Sequence, residues 1–257
     1  MKTYVATFTL NFGKKQSSYL TAEELLRIQR EGIEEVRDFY KMLLPETHEE
    51  VWVYIVIHLL KFPTNGHHVA FAYIKNATEE QKKTLEFKHK SERDGLTDLY
   101  NRITFEHKAN EILKNLDESQ FCALFMMDLD GFKVINDRYG HQTGDKLLCR
   151  VASVLEGFIT APNLTGRLGG DEFVAMVYGN GKEGIINKAR KVCKEIEKIS
   201  YEGEYMRICT ISVGVVFSSQ GDTFEKIYPK ADKALYVAKK QGKNQVCILD
   251  NSDTNLY

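Results

Sequence analysis

Four carboxylates stand where strands have little use for them. The run Phe121 to Met127, FCALFMM, is apolar throughout, as a central strand covered on both faces should be, and it ends abruptly in Asp128, Leu129 and Asp130. Further on, the strand-like stretch RLGGDEFVAM, Arg167 to Met176, is broken by Gly169 and Gly170 and then by Asp171 and Glu172. Glycine has no side chain to pack in a pleated sheet, and aspartate is depleted there. Carboxylates at a strand end face a crevice. Two glycines free to take positive φ make a tight turn that sets Asp171 and Glu172 at a hairpin tip, open to close approach by a ligand. If the hairpin lies beside the strand, three or four carboxylates converge. Mg²⁺ asks for such a set: one or two carboxylates, waters and the oxygens of a substrate phosphate.

Other readings of these residues compete. An i, i+2 spacing puts Asp128 and Asp130 on one side of an extended strand, but the turn at Gly131 can withdraw one of them. The hairpin alone also reads as a plain type I′ turn with solvent-facing acids. An EF-hand is excluded, because Phe132, Lys133 and Tyr139 sit where its loop needs an oxygen ligand, a glycine and a glutamate. Gly179, Gly181 and Gly184 spell the dinucleotide fingerprint G-x-G-x-x-G, yet the next strand offers no acid from Ile208 to Ser219 to take a ribose, so this is a connecting loop. No G-x-x-x-x-G-K-[ST] phosphate loop occurs.

The elements that would position these residues follow from periodicity. Met1 to Phe12 alternates as a half-buried strand. Thr21 and Glu24 form a capping box for a helix carried by Leu25, Ile28, Ile33, Val36, Phe39, Tyr40 and Leu43, broken near Gly32. Val51 to Phe62 and His67 to Lys75 read as strands joined across Asn65-Gly66. Thr78 and Gln81 cap a charged connecting helix. Beyond it come a helix from Ile103 to about Leu116, the strand ending at Asp130, helices through VINDRYG and GDKLLCRVASVLEGF, and the hairpin. A helix at IINKARKVCKEIEKI, a strand MRICTISVGVVF, a helix FEKIYPKADKALYVAKKQ and a short strand VCIL complete the chain. This order predicts an α/β (α+β) sandwich with one mixed sheet. The expected organisation is a sensor-like domain over 1–77, a connecting helix over 78–93 and a second domain over 94–257.

Composition narrows the partners. The 257 residues carry 35 basic and 36 acidic side chains, so no global field draws DNA, RNA or a membrane surface, and phosphate chemistry must be local. Cys122, Cys149, Cys193, Cys209 and Cys247 are scattered singly through apolar segments and read as reduced core thiols. The longest apolar run, Val51 to Leu60, is about half of the roughly 20 residues that cross a bilayer, and no signal peptide opens the chain; a soluble cytoplasmic protein is expected.

Four motifs, in order and spacing, resemble the GGDEF family of diguanylate cyclases: DGLTDLYNR (Asp94 to Arg102), DLDGFKVINDRYGHQTGD (Asp128 to Asp145), RLGGDEF (Arg167 to Phe173) and ADKALYVAKKQGKN (Ala231 to Asn244). The likeness covers roughly Ser91 to Leu249. It implies a polymerase-palm-like, nucleotidyl-cyclase-like domain that condenses two GTP into cyclic di-GMP and releases two pyrophosphates. Such catalysis needs two domains facing one another, hence a homodimer. A catalytically silent GTP-binding or protein-interaction module is the alternative.

By matching positions, the resemblance implies that Asp128 and Asp171 hold divalent metal, Mg²⁺ or Mn²⁺. The Leu129 carbonyl would be a third ligand with Glu172 close by, and Asp171 would help deprotonate the ribose 3′-OH, the base being Asp171 or Glu172. Gly169 and Gly170 would let the nucleotide lie against the turn. Asn136 and Asp145 match the guanine-binding pair, with His141 lining the same site. A carboxylate accepts two N–H donors from guanine, whereas adenine would leave it desolvated and unpaired. On the residues alone, Asn136 also reads as a helix cap and Asp145 as the N-cap of GDKLL. Lys133, Lys239 and Lys243 match positions that neutralise the triphosphate. Lys243 replaces the usual arginine and loses its bidentate fork. Both Lys239 and Lys243 also suit a solvated helix end closed by Gly242. Asp98 stands where the family more often has glycine.

Many members carry an R-x-x-D motif ending five residues before GGDEF that binds cyclic di-GMP and arrests the enzyme. Thr160, Ala161, Pro162 and Asn163 stand there in this chain. VWVYIVIHLLKF and HHVAFAYIK running into NATEEQKK resemble the last strands of a PAS-type sensor and its signalling helix. His58, His67 and His68 read as surface or packing residues, with a ligand pocket or a haem site as the competing role.

Overall fold

The structure, a computed structural model, describes residues 27–43, 47–61, 68–117, 120–199 and 209–249. The expected first strand, the capping box at Thr21 and the Asn65-Gly66 turn lie outside these residues. The chain divides into two compact units, Met1–Lys88 and His89–Tyr257.

In the first unit, β1 (Glu35–Leu43), β2 (Glu50–Lys61) and β3 (His68–Asn76) form an antiparallel sheet in the order β1-β2-β3. Alternation along β2 buries Val51, Val53, Ile55, Ile57 and Leu59 on one face, with Ile28, Val36 and Tyr40 packed against them. The helix expected through Leu43 is corrected here. Residues 27–30 are helical, Gly32 turns at φ 83°, and the segment after it is β1. Val36 and Tyr40 are four apart, which suits a helix, but an even spacing also suits a strand face. They lie opposite Ile57 and Val53 in the β1–β2 register, and that pairing overrides the local pattern. Helix α1 (Thr78–Glu92) follows β3; the Thr78 hydroxyl accepts the Trp52 N–H at 3.0 Å instead of capping its own helix.

The second unit is built on a mixed sheet of six strands in the order β4-β6-β7-β5-β8-β9. These are β4 (Tyr100–Asn101), β5 (Phe121–Asp130), β6 (Leu164–Gly169), β7 (Glu172–Gly179), β8 (Thr210–Phe217) and β9 (Val246–Leu249). Helices α2 (Arg102–Lys114), α3 (Phe132–Tyr139), α4 (His141–Phe158), α5 (Lys182–Glu197) and α6 (Phe224–Lys240) complete it. The sandwich with one mixed sheet is as expected, but of the five cysteines expected in the core only Cys122, Cys193 and Cys209 are buried, Cys247 is half-buried and Cys149 is exposed on α4. The two-residue β4, parallel to β6, had no periodicity to reveal it.

Strand β5 sits at the centre, antiparallel to both β7 and β8. Ala123, Phe125, Met127 and Leu129 enter the core shared with α4 and α5, and Cys122, Leu124 and Met126 enter the one shared with α2 and α6. At about 1.5–3 kcal/mol per fully buried large apolar side chain, this two-sided burial makes β5 the fixed floor of the unit. The α6 backbone lies directly on Gly214 of β8: a Cβ there would meet Ala231 O and Leu235 N at 2.3 Å. Only a glycine permits that approach, and it brings the last turn of α6 down beside the end of β5.

Candidate active site

The end of β5, the β6–β7 hairpin and the last turn of α6 converge. Asp128 lies opposite Glu172 in the β5–β7 register, and the Leu129 N–H donates to the Asp171 carbonyl at 3.3 Å. Hairpin and strand are therefore neighbours, as the sequence-based argument required. Asp171 stands at the tip and Glu172 opens β7, both half-buried. The tip is not a type I′ turn, since of Gly170 and Asp171 only Gly170 (φ 52°) has positive φ; the register also shifts between Arg167 and Gly169, a bulge at Leu168.

Asp128 is 8% exposed and pairs with Lys239 Nζ at 2.7 Å. Burial pushes the Asp128 carboxyl up, Lys239 pulls it back by hydrogen bond and charge, and the charges of Asp171 and Glu172 push it up again. Asp128 thus answers the Lys239 ammonium directly while lying within the field of two further carboxylates. Lys239 is half-buried and ion-paired, not the solvated helix-end cation of the simpler reading.

Asp130, two residues on, has a different fate. It is 6% exposed and accepts Thr210 Oγ1 at 2.7 Å, Ser212 Oγ at 2.8 Å and the Asn244 N–H at 3.1 Å. The open choice between the two aspartates is settled by these partners: Asp128 faces the carboxylate cluster and Asp130 is bonded into the fold.

Asn136 lies inside α3 and Asp145 inside α4, whose flanking cap is Gly140, so neither is a helix cap. The Asn136 Oδ1 is buried without a hydrogen-bond partner, and a Cβ on Gly144 would come within 1.9 Å of it. Gly144 makes room for the Asn136 carboxamide. His141, Asp145 and Lys133 are exposed, and among the described residues no ion pair or hydrogen bond ties them to the carboxylates. Lys243 is exposed in the turn after α6, at φ 66°.

Two contributors were missed in the sequence. Arg167 donates from Nη1 to Asp94 Oδ1 at 2.8 Å, and from Nε and Nη2 to the Gly170 carbonyl at 3.0 and 2.8 Å. It thereby braces the hairpin tip against the start of the unit. Asp94 also accepts the Thr97 N–H and hydroxyl at 2.9 and 2.7 Å. The one available signal was a charged residue at each motif's opening with no assigned role. In the same turn Asp98 adopts φ 59°, in the left-handed region that glycine takes freely and that aspartate tolerates better than most residues.

The donor set fits a divalent cation. Asp128 and Asp171 supply two carboxylates, and the crowding of negative charge around a buried Asp128 is what such an ion relieves. Among the described residues no group of three or more aspartate, glutamate, histidine or cysteine side chains is placed to hold a metal ion, so the protein would supply two carboxylates and leave the rest to backbone, water and substrate oxygens. No described helix is long and apolar enough to cross a membrane.

Residues 91–245 match the family described as "Diguanylate cyclase, GGDEF domain". The chain is 35% identical over 162 residues to the bifunctional diguanylate cyclase/cyclic di-GMP phosphodiesterase MucR of Pseudomonas aeruginosa, covering 62% of this chain and 24% of that protein. It is 30% identical over 182 residues to the diguanylate cyclase DgcM of Escherichia coli, covering 70% of this chain and 44% of that protein. The chain thus spans less than half the length of these curated relatives. Among solved structures, the coiled coil and GGDEF domain of DgcB from Caulobacter crescentus in complex with c-di-GMP is similar, with a TM-score of 0.61, 27% identity, and coverage of 66% of this chain and 93% of that one. The diguanylate cyclase SiaD, in complex with its activator SiaC from Pseudomonas aeruginosa, gives a TM-score of 0.59 at 29% identity, covering 66% of each chain. With its four motifs gathered in the second unit and the family match spanning more than half its length, the chain belongs to the GGDEF family of diguanylate cyclase domains.

Proposed function

We propose that this protein is an active, metal-dependent diguanylate cyclase that condenses two GTP into cyclic di-GMP and two pyrophosphates. The observation that carries the proposal is the convergence of Asp128, Asp171 and Glu172 with Lys239, whose ammonium lies 2.7 Å from Asp128. Intact carboxylates beside a cation are the groups that phosphoryl transfer needs, because its catalysis is mostly positioning and charge neutralisation.

Asp128 and Asp171, with the Leu129 carbonyl, would hold Mg²⁺ or Mn²⁺, which neutralises phosphate charge and acidifies a nearby hydroxyl. The ribose 3′-oxygen of one GTP attacks the α-phosphorus of the other; the P–O bond to pyrophosphate breaks, and the hydroxyl proton passes to Asp171 or Glu172. Lys133, Lys239 and Lys243 meet the triphosphate. Asn136 and Asp145 read the guanine, with His141 beside them. The orphaned Asn136 Oδ1 supports this role, since a buried acceptor without a donor costs about 1–3 kcal/mol and a bound base can supply one. Gly169 and Gly170 keep the tip free of side chains where the nucleotide lies.

The reaction joins two GTP held by two domains, so the working form is a homodimer, most simply two-fold symmetric. A PAS-like sensor over 1–77, followed by a signalling helix over 78–93, regulates it, and the protein acts in the cytoplasm. Incubation with GTP and Mg²⁺ followed by chromatography of the nucleotides tests the proposal. Cyclic di-GMP is the expected product; tight GTP binding without turnover would replace the enzyme by a silent GTP-binding module.

A further inference from the structure

The carboxylate of Asp130 is buried at the end of β5. Its negative charge is answered by three donors from two other parts of the chain: Thr210 and Ser212 of β8, and the backbone N–H of Asn244. Ser212 is wholly buried, so the bond to it is shut off from water. A carboxylate offers about four lone-pair positions, and three are taken.

The segment that Asp130 grips is an uncommon one. After α6 the chain passes through Gly242 at φ 120°, Lys243 at φ 66° and Asn244 at φ 47°. Two successive non-glycine residues in the left-handed region persist only where the surroundings over-determine them. Here the Lys243 N–H and the Gln245 side chain both donate to the Ala238 carbonyl, at 3.1 and 2.9 Å, and the Gln245 carbonyl accepts the Val213 N–H at 2.9 Å. Asp130 adds the bond that ties the turn to β5, the strand that also bears Asp128. Ala238 directly precedes Lys239, so one small network sets the place of both lysines relative to the carboxylate cluster.

We propose that Asp130 is a positioning residue: it binds no metal but clamps the 242–244 turn to the end of β5 and thereby fixes Lys243 against the triphosphate of bound GTP. The inference rests on the proposed use of this site for GTP.

The chemistry of the clamp supplies its own test. In Asp130→Asn the amide oxygen still accepts from Thr210 and Asn244, while the amide NH₂ donates to Ser212, whose hydroxyl can turn to accept. In Asp130→Ala all three bonds are lost. Calorimetric titration with a non-hydrolysable GTP analogue in Mg²⁺ should find Asp130→Asn within about threefold of the wild type and Asp130→Ala weakened about tenfold or more. Lys243→Ala should weaken binding comparably, and the double variant Asp130→Ala/Lys243→Ala should be no weaker than either single one, because each removes the same contact. Turnover by Asp130→Asn should keep the Mg²⁺ requirement of the wild type. If Asp130→Ala does not fold, Asp130→Leu replaces it, since leucine fills the space and accepts none of the three hydrogen bonds. Effects of Asp130 and Lys243 that multiply, or an Asp130→Asn variant as impaired as Asp128→Asn, would overturn the inference. A wild type that binds the analogue but forms no cyclic di-GMP would instead remove the proposed activity, leaving the clamp to be judged on binding alone.

Discussion

Arg167 and Asp94, 73 residues apart, are joined by a 2.8 Å bond while the same guanidinium holds the Gly170 carbonyl through two further N–H groups. One planar side chain, 11% exposed, therefore ties the first residues of the second unit to the tip that carries Asp171. Lysine could not reproduce this, since a single ammonium on a flexible stem replaces five donors in a fixed fork. Arg167→Lys is expected to keep the fold and lower turnover about tenfold or more, one or two charge-assisted bonds at about 1.5–3 kcal/mol each being lost. Circular dichroism and the cyclase assay check it; undiminished turnover would mean the tip is placed without Arg167.

The same pair carries a pH dependence. Burial pushes the Asp94 carboxyl up, but the Thr97 hydroxyl, Arg167 and the Thr97 N–H outweigh it and hold Asp94 below the ordinary carboxylate value. A group depressed in the folded state stabilises the fold above its unfolded pKa, about 3.9, and loses that contribution as pH falls through the folded pKa. Wild type should exceed Asp94→Asn in stability by about 1.5–3 kcal/mol near neutrality, with the gap closing on acidification below about pH 4. Urea denaturation of both proteins across that range measures it. A gap that widens in acid would contradict the assigned cause.

Metal dependence follows from Asp128 at the strand end and Asp171 at the hairpin tip. Asp128→Asn and Asp171→Asn keep volume and remove a charged ligand, so each should abolish turnover with the thermal melt retained, and EDTA should do the same to the wild type. Wild-type rates in either variant would sink the assignment.

The legible parts of this molecule were those written in local pattern. An apolar run ended by acids marks the end of β5, and Gly169-Gly170 marks the hairpin tip. Lys239 was different: only the family likeness pointed to it, because its partner Asp128 is remote in sequence and the approach depends on Gly214 letting α6 down onto β8. The Arg167–Asp94 brace was hidden for the same reason. Asp130 shows the limit of spacing arguments, since Asp128 and Asp130 look alike in sequence and differ only in what the neighbouring strand and turn donate to them. β1 was misread because Val36 and Tyr40 suit both a helical and a strand period, and only pairing with β2 decides.

Assembly gives the next expectation. If each domain holds one GTP, a monomer cannot close the ring. Helix α1 has no buried residue and exposes Leu85 and Phe87, a sparse apolar supply for a strong autonomous coiled coil, so dimerisation should be concentration-dependent. Specific activity should rise with enzyme concentration through the dimerisation range measured by analytical ultracentrifugation. Activity constant well below that range would refute it.

Product inhibition of the kind seen with R-x-x-D should be absent. Thr160 and Asn163 occupy the positions of the arginine and aspartate, and the structure shows that Asn163 is already committed: its amide NH₂ donates to the Thr160 carbonyl at 2.6 Å and its Oδ1 accepts the Tyr178 N–H at 2.8 Å. The side chain closes its own turn and fastens it to β7, leaving no charge to present to a ligand. Thr160 has no guanidinium fork for a guanine edge or a phosphate. Several charge-assisted hydrogen bonds of about 1.5–3 kcal/mol each are missing, and even one such loss weakens binding about tenfold or more. Micromolar cyclic di-GMP should therefore neither bind at this turn nor slow the enzyme, which leaves control to the first unit or to dimerisation. Calorimetric titration gives the answer: tight cyclic di-GMP binding that Thr160→Ala or Asn163→Ala removes would prove the expectation wrong.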